Sequence, residues 1–202
     1  VFQADVAFRD LRLAVIDEQH RFGVAQRLAL GDKGAAADIL VMTATPIPRS
    51  LALAQYGDME VSVLDEKPPG RQPVVTTLAA ADRMAEIVAH LARAVAEGKR
   101  AYWVCPLVEE SETSDLTAAQ TRFESLRAAL PAGTVGLVHG QMPPGDKDAA
   151  MADFVAGRTR VLVATTVIEV GVDVPEATIM IIERAESFGL AQLHQLRGRV
   201  GR

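Results

Sequence analysis

Cysteine is all but missing from this 202-residue chain: Cys105 stands alone. An internal disulfide framework is therefore excluded, and such low usage fits a reducing compartment. The four histidines, His20, His90, His139 and His194, are scattered, and none can form a metal-binding cluster with Cys105. Long apolar runs are also missing: none reaches membrane-spanning length, and no secretory leader opens the chain. Positive charge is in deficit. The formal net charge is −5, which removes bulk electrostatic attraction to nucleic acid and leaves only a local basic strip for that purpose. An initiator methionine is absent too, since the chain opens Val1-Phe2, and it stops at Arg202 inside a basic, glycine-rich run. Both features lead us to expect a piece of a longer protein.

What is present describes an ordinary globular chain, with 49% hydrophobic and 23% charged residues. The length suits one large domain or two smaller ones. The apolar run Leu13 to Ile16 ends abruptly in Asp17-Glu18. Such a run suits a strand buried on both faces of a parallel sheet, whose carboxyl end is where ligands bind in open α/β folds. Adjacent carboxylates there can divide labour, one holding a metal ion through water and the other orienting an attacking water. Acidic residues at a helix N-terminus would explain the pair equally well at this point.

Strand and helix patterns then alternate. Gly23–Leu30 reads as a short helix and Ile39–Met42 as a second apolar strand. Thr43-Ala44-Thr45-Pro46 ends that strand, and Pro48 can open a helix running to about Tyr56. Val61–Leu64 is a third short apolar run. The prolines, glycine and charges of residues 65–73 (DEKPPGRQP) mark a linker and a domain boundary. Val74–Leu78 reads as a strand. Asp82 can cap a helix whose apolar positions Met84, Ile87, Val88, Leu91 and Val95 follow the 3.6-residue period, closed by Gly98. His90 lies off that stripe and reads as a surface residue. Ala101–Val104 is a strand, Glu109–Glu112 an acidic loop, and Leu116, Ala119, Phe123, Leu126 and Leu130 form another helical stripe. Thr134–Val138, Arg160–Ala164 and Ile179–Ile182 are strands, with helices over Asp146–Phe154 and from Leu190. Alternation with short loops implies parallel sheets with right-handed crossovers.

Polar residues repeatedly follow strands: Asp17-Glu18, Thr43-Ala44-Thr45, His139-Gly140 and Thr165-Thr166. The final run Gln195–Arg202 interleaves three arginines with glycines; glycine allows close backbone approach, and the arginine fork matches phosphate oxygens. Taken singly, each has a plainer reading. Thr43 and Thr45 could cap the helix after Pro48, His139 could be a loop histidine, Asp173 a surface acid, and Arg197 a solvated side chain.

Together these stretches resemble the ordered motifs of superfamily 2 helicases. Asp17-Glu18-Gln19-His20 looks like motif II, Thr43-Ala44-Thr45 like motif III, residues 165–175 (TTVIEVGVDVP) like motif V, and residues 195–202 (QLRGRVGR) like motif VI. The longer strings DEQHRFGV, MTATPIPRSLAL, DEKPPGR, VCPLVEESE and ATTVIEVGVDVP resemble the RecG family of bacterial DNA helicases over essentially the whole chain. The Mfd family of transcription-repair coupling translocases shares RFGV, TATPIPR and QLRGRVGR, whereas DEKPPGR and VCPLVEESE favour the RecG family. Two departures stand out: Ser50 occupies a usual threonine position, and Gln141 replaces an arginine, which puts in doubt the phosphate contact expected there.

The resemblance implies RecA-like parallel sheets flanked by helices. Residues 1–64 would be the C-terminal part of a first lobe, residues 65–73 the interlobe linker and residues 74–202 most of a second lobe. It implies an ATP-driven motor on forked or branched double-stranded DNA, monomeric, with single-stranded DNA-binding protein as a partner, working in the bacterial cytoplasm at the nucleoid. Carried over by position, Asp17 would hold Mg²⁺ through water and Glu18 would activate the hydrolytic water. Gln19, His20, Thr43, Thr45 and Gln195 would couple nucleotide state to movement. Gly171 and Asp173 would lie near the nucleotide, Arg199 and Arg202 would be arginine fingers, and His139, Thr165 and Thr166 would touch the DNA backbone. A non-catalytic nucleic-acid or protein interaction module on a motor fold is the contrasting expectation. The sequence contains no GxxxxGK[ST] phosphate loop, so these 202 residues by themselves are expected not to hydrolyse ATP.

Overall fold

The computed structural model describes residues 6–17, 37–43, 60–66, 70–106, 112–165 and 174–201, without the side chains of 112–116. The chain divides into two compact units, Val1–Val63 and Leu64–Arg202. The expected helices over Gly23–Leu30 and from Pro48 lie outside the described residues, as does most of the acidic run 109–112.

In the first unit, β1 (Leu13–Ile16) and β2 (Asp38–Val41) pair in parallel, with Ile16 opposite Val41. Burial along β1 alternates: Ala14 and Ile16 are buried, while Leu13 and Val15 are 56% and 53% exposed. The expectation of burial on both faces therefore fails among the described residues, because β2 covers an edge of β1 and not its second face. Val61–Leu64 forms no strand and is exposed.

The second unit is a four-stranded, wholly parallel sheet between two helical layers. Its elements run α1 (Met84–Ala96), β3 (Arg100–Val104), α2 (Glu112–Ala129), β4 (Val135–Val138), α3 (Pro144–Val155), β5 (Val161–Ala164), β6 (Ala177–Ile182) and α4 (Leu190–Arg197). The strand order is β4-β5-β3-β6. Side chains alternate across a strand, and both faces are covered. Tyr102, Val104, Leu162 and Ala164 point into one core with Phe154 of α3 and Leu196 of α4. Ala101, Trp103, Val161 and Val163 point into the other, against Leu91 and Val95 of α1 and Ala119 and Leu126 of α2. The rings of Tyr102 and Phe154 pack tilted, 4.9 Å apart. The apolar stripes of both predicted helices thus do face the sheet, and His90 is exposed.

Two local expectations are corrected. Asp82 does not cap α1: it sits in the 3-10 turn Ala81–Arg83, and the position preceding α1 is Arg83. Val74–Leu78 is not a strand; Val74 packs on the first core and its carbonyl is taken by Arg197 at 3.1 Å, so its backbone is engaged by a side chain instead of a ladder. Gly98 does close α1, with φ +85 and its amide donating to Val95 O at 2.9 Å.

Candidate functional site

In the first unit the register brings β1 and β2 to an end together. The Met42 amide donates to Ile16 O at 2.8 Å, so Asp17 and Thr43 follow neighbouring strands at one edge, and Asp17 is exposed. Glu18, Gln19, His20 and Thr45 lie outside the described residues.

In the second unit the four strands also end in line, since Ala164 is opposite both Val104 and Val138, and Val104 is opposite Ile182. The ladder extends one residue further. Thr165 N donates to Val138 O at 3.3 Å, Cys105 N to Ala164 O at 2.8 Å and Glu183 N to Val104 O at 2.9 Å. A row therefore crosses the carboxyl edge in the order His139, Thr165, Cys105, Glu183. This is the edge at which open parallel sheets bind ligands.

At one end of the row, His139 Nδ1 and Thr165 Oγ1 are buried and have no hydrogen-bond partner among the described residues. Such an unpaired group costs about 1–3 kcal/mol. Burial first, and then the nearby Lys147 ammonium, push the His139 imidazole below its ordinary range, so it is neutral at pH 7. Lys147 itself is drawn in by donating to Gly140 O at 2.6 Å.

The other end of the row was not foreseen. Glu183 accepts a bidentate pair from Arg122 of α2, at 2.5 Å from Nε and 3.1 Å from Nη2, and a further bond from the Trp103 indole N–H. The Arg122 guanidinium carbon lies 5.2 Å from the Trp103 ring centre. A charged residue directly after the apolar run of β6 was the available signal, as it was for Asp17. Cys105, between the two ends, is buried, and its thiol is pushed up to about 12, chiefly by burial and then by the Glu183 charge. It is an inert core residue, not a nucleophile.

The arginine-glycine run lies elsewhere in the same unit. Leu196 and Val200 are buried in the first core and bracket Arg199, which is half-buried. Gln195 is half-buried on α4. Arg197 is not simply solvated, since it holds Val74 O. Gly201 has φ +75, and a Cβ there would lie 2.6 Å from Val74 Cγ2 and 3.0 Å from Gln72 O, so glycine is required twice over. Thr166, Gly171, Asp173 and Arg202 lie outside the described residues. No cluster of three or more metal-ligating side chains occurs among the described residues.

Comparison with known proteins agrees with this architecture. Residues 82–202 match the helicase conserved C-terminal domain. The ATP-dependent DNA helicase RecG of Acidithiobacillus ferridurans is 57% identical over 202 residues, covering 100% of this chain and 30% of the relative. The chain thus spans about a third of the curated relatives it matches. A structure of RecG bound to a three-way DNA junction superposes with a TM-score of 0.72 at 48% identity, over 100% of this chain and 26% of that one. The S. cerevisiae protein Dbp5 bound to RNA and ADP BeF3 shares the fold, with a TM-score of 0.61 at 16% identity over 95% of this chain and 50% of that one. With parallel sheets flanked by helices, RecA-like in architecture, and the C-terminal helicase domain over more than half its length, the chain belongs to the helicase conserved C-terminal domain family, as a RecG-type member of it.

Proposed function

We propose that the chain is the core of an ATP-driven motor acting on forked and branched double-stranded DNA in repair and recombination. Residues 1–64 would belong to a first RecA-like lobe and residues 74–202 to a second, joined by residues 65–73. One observation carries the DNA reading: His139 and Thr165 stand on adjacent strand ends with buried polar atoms lacking partners among the described residues. On this reading a phosphate oxygen accepts from the Thr165 hydroxyl and from an imidazole N–H of His139. Both groups are uncharged at pH 7, so they would hold a backbone without sequence preference. In a chain of net charge −5, such local contacts matter more than bulk attraction. The RecG relative seen with a three-way junction supports branched DNA as the substrate class.

For hydrolysis, Asp17 is an exposed carboxylate at a strand end, which suits a magnesium ion that keeps most of its water shell. The ion would supply charge neutralisation at the phosphates. Glu18 would orient and deprotonate the attacking water. Arg199 and Arg202 would meet the charge developing on the transferring phosphoryl group, a contribution of about 10³–10⁵ in rate for an arginine finger. Gly171 and Asp173 would border the nucleotide, while Gln19, His20, Thr43, Thr45 and Gln195 would link its state to DNA movement, with Thr166 beside Thr165 on the strand. A monomeric enzyme of the bacterial cytoplasm, recruited to the nucleoid through single-stranded DNA-binding protein, completes the reading.

The test uses the full-length protein. Glu18→Gln should abolish DNA-stimulated ATP hydrolysis while ATP and junction binding persist. His139→Ala with Thr165→Ala should weaken junction binding alike across sequences, the mark of backbone contacts. Unchanged hydrolysis in the first variant, or unchanged junction affinity in the second, refutes the corresponding half.

A further inference from the structure

The segment ahead of α1 is tied to the arginine-glycine run at three points. Arg71 Nη2 donates to Gly198 O at 2.7 Å, the Gln72 amide donates to Gly201 O at 3.0 Å, and Arg197 Nη2 donates to Val74 O at 3.1 Å. Val74 closes the contact by packing on the first core directly beside Gly201. The two carbonyls that are gripped have a particular place in the sequence. Gly198 C=O shares its peptide plane with the amide of Arg199, and Gly201 C=O shares its plane with the amide of Arg202. The Gly198 peptide plane contains the Arg199 Cα, so holding that plane on one side and Val200 on the other holds the point from which the Arg199 side chain departs. From the opposite side, Leu196 and Val200 are anchored in the core. The run is therefore held between a buried face and an outer strap.

We propose that Arg71 is a positioning residue for Arg199, aligning it for the reaction through the Gly198 carbonyl. The proposal rests on the reading of Arg199 as an arginine finger. Arg71 is the strap's strongest tie, because it is half-buried and donates from a charged guanidinium, and charge-assisted bonds are roughly twice as strong as neutral ones. The strap is also the stretch through which residues 1–63 are covalently joined to the second unit. Displacement of that path pulls on the arginine run through Arg71, so the linker acts on catalysis as well as on connection.

The experiment measures DNA-stimulated ATP hydrolysis by the full-length protein carrying Arg71→Ala, Arg71→Lys, Arg199→Ala, or Arg71→Ala with Arg199→Ala. In Arg71→Ala, kcat and kcat/KM should fall together by about 10- to 100-fold, the scale for a catalytic group misplaced by about 1 Å. Junction affinity and ADP affinity should hold, whereas ADP–aluminium fluoride, which mimics the transferring phosphate, should bind more weakly in step with kcat. Arg71→Lys should recover part of the loss. In the Arg199→Ala background, Arg71→Ala should add no further loss, as for residues that act as one unit. An unchanged kcat in Arg71→Ala, with turnover abolished in Arg199→Ala, overturns the strap and leaves the finger standing. An unchanged kcat in Arg199→Ala overturns the finger, and the strap with it. Additive losses, or equal loss of ADP and junction binding, make Arg71 a structural tie only and also overturn the proposal. Should the alanine variant not fold, the lysine variant decides: reduced kcat at constant KM supports the strap and unchanged kcat overturns it.

Discussion

Gly201→Ala offers a measurement in which two sources of destabilisation can be separated within one chain. Gly98, Gly133 and Gly201 all have positive φ, at +85, +78 and +75. An added Cβ would meet nothing within 4 Å at Gly98 or Gly133. At Gly201 it would fall 2.6 Å from Val74 Cγ2 and 3.0 Å from Gln72 O. The valine methyl can turn aside, but the Gln72 carbonyl is backbone and moves only if the strap moves. The left-handed conformation costs a non-glycine residue about 1–2 kcal/mol, offset by about 0.4–1 kcal/mol from a stiffer unfolded chain. Gly98→Ala and Gly133→Ala should therefore each cost about 1 kcal/mol. Overpacking adds about 1–3 kcal/mol, so Gly201→Ala should cost about 2–4 kcal/mol.

Trp103 makes the assay selective. It is the only tryptophan and is fully buried in the second unit, so its fluorescence during urea unfolding reports that unit alone. At an m-value of about 2 kcal/mol/M, the midpoint should drop by about 1–2 M for Gly201→Ala and by about 0.5 M for each control. Equal shifts for all three glycines would refute the argument that the strap presses on the arginine run. A loss at Gly201 removed by Val74→Ala would instead locate the pressure in the methyl contact and not in the backbone.

Further expectations concern the rest of the second unit. Glu183→Ala leaves Arg122 and the Trp103 N–H without their partner at a site where both charged side chains are about four-fifths buried; it should cost about 2–4 kcal/mol, toward the lower part of the range for a broken buried pair. In a double-mutant cycle, Arg122→Ala with Glu183→Ala should cost clearly less than the sum of the two single variants, and additivity would count against the network. Arg184 is the sole non-glycine residue with positive φ among the described residues, at 47°, and it is exposed, so Arg184→Gly should stabilise by roughly 1 kcal/mol in the same urea assay; a destabilised variant would mean that its side chain is engaged. For Cys105 the folded thiol is held up to about 12, so above the ordinary thiol range the unfolded chain has lost a proton that the folded chain retains. Stability should then fall as pH rises from about 9 toward 12, by up to about 1.4 kcal/mol per pH unit, and Cys105→Ala should remove that part of the slope. An alkaline profile unchanged by the substitution would refute it.

The second unit was legible because its code is redundant. Val161–Ala164 could be only a strand buried on both faces, and Leu91 and Val95 could point only toward the sheet, whatever the partners. The row at the carboxyl edge was half legible for the same reason: His139 and Thr165 follow apolar runs, and strand ends put them side by side. Glu183 follows such a run too, yet its partners Arg122 and Trp103 come from 61 and 80 positions away in sequence, and no periodicity announces a pairing across that distance. Val74–Leu78 misled for a physical reason. An apolar run shows that a segment is sticky, not that a neighbouring strand is available to pair with it, and here the bonding partner was the Arg197 side chain.

The arginine-glycine run shows why the spacing of QLRGRVGR is a geometric demand and not only a signature. Leu196 and Val200 are four apart, so the turn after α4 presents both to the core. Gly198 and Gly201 are the positions between and after them that face the strap, where one carbonyl takes Arg71 and the other takes Gln72. A side chain at Gly201 would occupy the space of Val74, so the strap could not approach. Arg197 leaves the helix in the direction of the strap and binds it from the other side. Leu196, Arg197, Gly198, Val200 and Gly201 are thereby committed to holding the backbone of the run. On the proposed reading, Arg199 is the cation that this clamped loop presents to the transferring phosphate. For that reason Arg199, and not the more exposed Arg197, is the position at which substitution should cost turnover without costing the fold.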